Sequence, residues 1–88
     1  MREEQVVIVN KIGLHARPAA LLVKAASGFM ADVALVKDGK AFNAKSMLAV
    51  MSSGVKQGDA IVVRTDGTDE EEALRTVVAL VAGGFGEN

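Results

Sequence analysis

The chain has 88 residues, 50% apolar and 24% charged, with ten Lys and Arg against eleven Asp and Glu for a formal charge of -1. That length holds one domain, 1–88, and the balance of apolar and charged residues excludes a disordered segment. With no cysteine, one histidine and neither Trp nor Tyr, the composition also excludes a disulfide framework, a Cys/His metal centre and a stacking nucleic-acid face.

No apolar run reaches the ~18 to 20 residues of a bilayer span, and Met1-Arg2-Glu3-Glu4 leads into no signal-peptide core. A cytoplasmic monomer is expected, with no membrane insertion and no nucleic-acid partner. The first element is Gln5-Val6-Val7-Ile8-Val9, a β-branched run that reads as a strand largely buried or half covered. Asn10 to Gly13 is a loop. From Ala16 or Pro18 to Ser27, the residues Ala19, Leu22, Val23 and Ala26 keep the spacing of a helix with one buried stripe, and Gly28 is its expected stop.

Ala31 to Val36 is a second strand, joined through Lys37-Asp38-Gly39-Lys40 to Ala41-Phe42-Asn43 as a tight antiparallel hairpin. Ser46 to Ser53, closed by Gly54, is a helix of under two turns. Ala60 to Thr65 is the fourth strand. After Asp66-Gly67, Thr68 and Glu71 have capping-box spacing, and Asp69 to Glu72 load acid onto the start of a helix. Leu74, Val77, Val78 and Val81 form its buried stripe, and Gly83-Gly84 ends it. Two amphipathic helices, one short helix and four strands give a two-layer α+β domain.

Chemistry concentrates at Gly13-Leu14-His15-Ala16-Arg17-Pro18. The only histidine sits at a loop-to-helix junction, where unpaired amides and the helix dipole favour an anion. Pro18 suits a first turn, whose N–H has no helical partner. Arg17 breaks a local rule, because a cation at the positive end of a helix costs ~0.3 to 1 kcal/mol. A bound anion offsets that cost, and a guanidinium with first-turn amides makes a clamp for a phosphoryl group. These surroundings favour an imidazole with a free lone pair, the form a nucleophile needs. A phosphorylated histidine accounts for all three residues, whereas an isolated surface or capping histidine gives Arg17 no role.

The same residues closely resemble the active-site signature of the HPr family, the histidine-containing phosphocarriers of the bacterial phosphoenolpyruvate-dependent phosphotransferase system. Lys45-Ser46-Met47-Leu48-Ala49-Val50-Met51-Ser52 resembles that family's second signature, around a regulatory serine, and the similarity covers essentially the whole chain. The resemblance implies an open-faced β-sandwich, a four-stranded antiparallel sheet with three helices on one face in the order βαββαβα. It also implies a carrier rather than an enzyme. His15 would accept a phosphoryl group on Nδ1 from phospho-enzyme I, charged by phosphoenolpyruvate, and pass it to an enzyme IIA domain in sugar uptake. Arg17 and the amides of Ala16 and Arg17 would hold the phosphoryl oxygens, with no metal or cofactor required.

In the family the docking face surrounds the histidine. Here the corresponding residues are Ala16, Ala20, Leu21, Met47, Leu48 and Met51, with Lys24, Lys45 and Lys56 nearby. A helix this short cannot bury every side, so Met47, Leu48 and Met51 are read as exposed and Val50 as core. Ser46 has two readings, a helix N-cap and, by resemblance, a site for an HPr kinase/phosphorylase. Ile12 is apolar where many members carry a small polar residue, and the tail Gly83 to Glu87 differs from some sugar-type members. A regulatory, nitrogen-type relay therefore stays open beside sugar uptake, as does a non-transferring binding module.

Overall fold

A computed structural model describes residues 1–87. Its elements are β1 (Arg2–Val7), α1 (Ala16–Ser27), β2 (Asp32–Lys37), β3 (Lys40–Asn43), α2 (Met47–Ser52), β4 (Ala60–Asp66) and α3 (Glu70–Ala82), followed by a 3-10 turn at Gly84–Gly86. The strands form one antiparallel sheet in the order β1-β4-β2-β3. Alternation in β4 sends Ile61, Val63 and Thr65 to the covered face, where Val6, Val33 and Leu35 join them. The α1 stripe Ala19, Leu22 and Ala26 and the α3 stripe Ala73, Val77 and Val81 close this core. Each large side chain fully withdrawn from water contributes roughly 1.5 to 3 kcal/mol. The opposite face of the sheet carries no helix, which makes an α+β open-faced sandwich.

The hairpin forms as its sequence dictates: Asp38 and Gly39 take φ of 51° and 79°, the paired positive values of a type I′ turn. β1 is half covered, one of its two sequence readings, because Val6 and Ile8 are buried while Val7 and Val9 face outward. α1 stops after Ser27 with Gly28 as its C-cap, as read, at φ of -76° and with the Gly28 N–H bonded to Ala25 O. Two local readings need correction. β1 runs Arg2–Val7 rather than 5–9. The Thr68–Glu71 capping box does not form. Asp69 is the first residue outside α3, and Glu70 Oε1 accepts from Gly67 N at 3.0 Å instead.

Asp69 caps nothing in its own helix because two amides from the approach to β2 take its carboxylate. Met30 N donates to Oδ2 at 2.9 Å and Ala31 N to Oδ1 at 2.8 Å. These amides hold the Asp69 carboxyl below the usual carboxylate range, as the Gly67 N–H and the chain's amino terminus do for Glu70. Both groups are lowered in the fold, so their stabilisation is present above the unfolded values and is lost as pH falls through the folded ones. The urea midpoint is therefore expected to drop on acidification below about pH 4, and Asp69→Asn is expected to flatten that dependence. A pH dependence equal to wild type would show that this staple between α3 and β2 stabilises nothing.

Among the described residues, no helix is long and apolar enough to cross a membrane.

Candidate functional site

The loop after β1 is seated before α1 begins. Gly13 takes φ of +71°, and a Cβ there would lie 2.6 Å from Lys56 Cα and 2.7 Å from Val55 O. Only a glycine lets this turn lie against the backbone between α2 and β4, where Leu14 N donates to Val55 O at 3.2 Å. Asp59 organises the other side of that contact, accepting from Lys56 N and Lys37 Nζ, both of which hold its carboxyl below the usual range. Leu14, Pro18 and Ala19 are buried on either side of His15. The imidazole is thus fixed at its root by packing while its side chain stays 35% exposed.

His15 is the N-cap residue of α1, yet its side chain makes no cap hydrogen bond. Ala19 N is the first donor bonded back into the helix, to His15 O at 3.0 Å. Pro18 has no N–H to give. Two amides remain at the helix start, those of Ala16 and Arg17, and neither has a partner among the described residues. Arg17 is exposed and forms no ion pair among those residues. His15, Arg17, Lys11, Phe85 and Glu87 line one open cleft of about 560 Å³. The residues expected to act together are therefore brought together, and the net local charge is open to an anion.

The expected docking residues all lie at the surface. Ala16, Ala20 and Lys24 run down one face of α1, with Arg17 and Leu21 beside them. Leu21 is 39% exposed, Met47 37%, Leu48 81% and Met51 44%, whereas Val50 is buried. The helices α1 and α2 pack side by side, so these side chains extend the surface around His15. Lys45 is partly withdrawn from it, because Nζ donates to Phe29 O at 2.8 Å. Ser46 caps α2, its Oγ accepting from Ala49 N at 3.2 Å.

Two residues at the site escaped the sequence reading. The Glu87 carboxylate lies 3.2 Å from His15 Nε2 through Oε2, and its Oε1 accepts from Asn10 Nδ2 at 3.2 Å. Asn10 is buried and also donates to Gly13 O at 2.7 Å, tying the histidine loop to the tail. An Asn opening a loop is a signal for such bridging. For Glu87 no local signal exists, since its contact spans 72 residues.

The family described as the PTS HPr component phosphorylation site matches residues 2–83. The chain is 39% identical over 87 residues to the phosphocarrier protein HPr of Cupriavidus necator, covering 99% of this chain and 98% of that one. It is 43% identical over 81 residues to the HPr-like protein Crh of Halalkalibacterium halodurans, covering 92% and 96%. HPr of Thermoanaerobacter tengcongensis is 48% identical and superposes with a TM-score of 0.95, covering 100% of this chain and 99% of that one. A dimer of that HPr superposes with a TM-score of 0.78, covering 99% and 100%.

Proposed function

Because this chain belongs to the HPr family of phosphotransferase-system phosphocarriers, we propose that it takes a phosphoryl group from phospho-enzyme I onto His15 and hands it to an enzyme IIA domain in sugar uptake. One observation carries the reading: a partly exposed imidazole, two amides and a guanidinium without partners among the described residues meet at one helix start. The Nδ1 lone pair forms the new bond to phosphorus as the bond to the donor's nitrogen breaks, and that electron pair returns to the donor. The Arg17 fork and the amides of Ala16 and Arg17 hold the phosphoryl oxygens, so positioning and charge stabilisation do the work. The chain ends each cycle unchanged, as a carrier rather than an enzyme, in the cytoplasm and as a monomer.

Both partners dock on the α1–α2 surface, where Leu21, Met47, Leu48 and Met51 supply adaptable apolar contact and Lys24 meets acidic partner surfaces. Phosphorylation of Ser46 by an HPr kinase/phosphorylase adds about -1.5 to -2 charge within this surface and weakens docking.

Incubation with enzyme I and labelled phosphoenolpyruvate is expected to leave one acid-labile, base-stable phosphate per chain. Failure to take label, under conditions where an HPr of known activity does, overturns the carrier reading in favour of a binding module. Arg17→Ala is expected to slow transfer roughly tenfold or more, with the urea midpoint unchanged or slightly raised, because Arg17 forms no ion pair among the described residues and its cation sits at the positive end of α1. A rate within about twofold of wild type would remove the clamp.

A further inference from the structure

We propose that Glu87 is a positioning residue that decides which ring nitrogen of His15 is the nucleophile. This inference rests on the carrier reading, and it lies outside residues 2–83, the part of the chain that matches the family.

An ionised carboxylate only accepts hydrogen bonds. Glu87 places Oε2 at 3.2 Å and Oε1 at 3.3 Å from His15 Nε2, so the ring nitrogen facing it must carry the proton. The neutral ring then keeps its lone pair on Nδ1. As Nδ1 bonds to phosphorus, the bond to the donor nitrogen breaks and its electron pair leaves with the donor. The Nε2 proton stays in place, and the positive charge that develops on the ring is met by the carboxylate. The carboxylate–imidazole pairs of hydrolases and metal centres work by the same logic, fixing a tautomer and stabilising the charged ring.

The tail is built to deliver this carboxylate. Phe85 is 5% exposed and takes φ of 57°, a left-handed conformation unusual for a side chain of its size. Burial of its ring holds that turn, and Glu87 N closes it by donating to Gly84 O at 2.9 Å. Asn10 Nδ2 then holds Glu87 Oε1 at 3.2 Å and Gly13 O at 2.7 Å, so one amide fixes the carboxylate and the histidine loop together. The other charged side chains lining the cleft are Lys11 and Arg17.

Because His15 is the only histidine, its ring nitrogens can be followed without assignment ambiguity by long-range proton–nitrogen NMR of the unphosphorylated protein. The expected wild-type spectrum has the proton on Nε2, hydrogen-bonded and slowed in exchange. In Glu87→Ala the slow exchange is lost, protonation of Nδ1 becomes detectable, and transfer from phospho-enzyme I slows roughly tenfold. Glu87→Gln, whose amide oxygen still accepts, retains the Nε2-protonated form. A wild-type proton on Nδ1 overturns the proposal, as does a Glu87→Ala ring spectrum equal to wild type. A Glu87→Ala transfer rate within twofold of wild type overturns it as well. The ring spectrum needs no enzyme I, so its failure is distinguishable from failure of the carrier reading.

Discussion

Replacing His15 by alanine is expected to abolish phosphoryl uptake from enzyme I completely while shifting folding stability by no more than about 1 kcal/mol, the scale of its partly exposed contact with Glu87. The two halves of this expectation have separate causes. No other imidazole exists in the chain to accept the group. The side chain makes no cap hydrogen bond to α1, and the helix start is held by burial of Leu14, Pro18 and Ala19 and by the bond from Ala19 N to His15 O. Label incorporation and urea denaturation measured on the same preparation check both halves. Residual acid-labile label in the variant would place the phosphoryl group on another atom and remove the site assignment.

Gly13→Ala is expected to damage both stability and transfer with a single methyl group. The new carbon would meet Lys56 Cα at 2.6 Å and Val55 O at 2.7 Å, both backbone atoms. Neither can swing aside as a flexible side chain does. The residue would also have to hold φ at +71°, which costs an L-residue about 1 to 2 kcal/mol by itself. Together these predict a loss of roughly 2 to 4 kcal/mol, a fall in melting temperature on the order of 10 to 20 °C. The loop relieves the clash by lifting away from Val55, carrying His15 with it. A displacement of ~1 Å is enough to slow transfer about a hundredfold. Calorimetry and single-turnover transfer measure the two effects. An unchanged melting temperature would mean that the backbone around Lys56 yields freely.

What could be read from the residues depended on distance along the chain. The Asp38-Gly39 hairpin and the α1 stripe follow from short-range pattern, and both are present. The joining of His15, Arg17 and two free amides was legible because it is also local, set by Pro18 at the third position of one helix. Thr68 and Glu71 misled for the opposite reason. Their spacing is local, but Asp69 is drawn to Met30 and Ala31, 39 and 38 residues away, and the helix begins accordingly. The Glu87 contact with His15 is of the same kind, since nothing in a short window announces a partner at the other end of the chain. Sheet order is likewise non-local, because β4 enters between β1 and β2 and no run of residues encodes that choice.

The six-residue α2 buries a single side chain, Val50. Beyond that side chain it is held by the Ser46 cap and by bonds from Lys45 to Phe29 O and from Lys37 to Gly54 O, so this turn and a half is a cheap part of the molecule to unseat. Such a segment can shift to suit one visitor and then the next while the strands beneath it hold still. Under the proposed carrier role, a protein that gives and receives with unlike neighbours thereby keeps its tolerance in one small, separable piece of its surface.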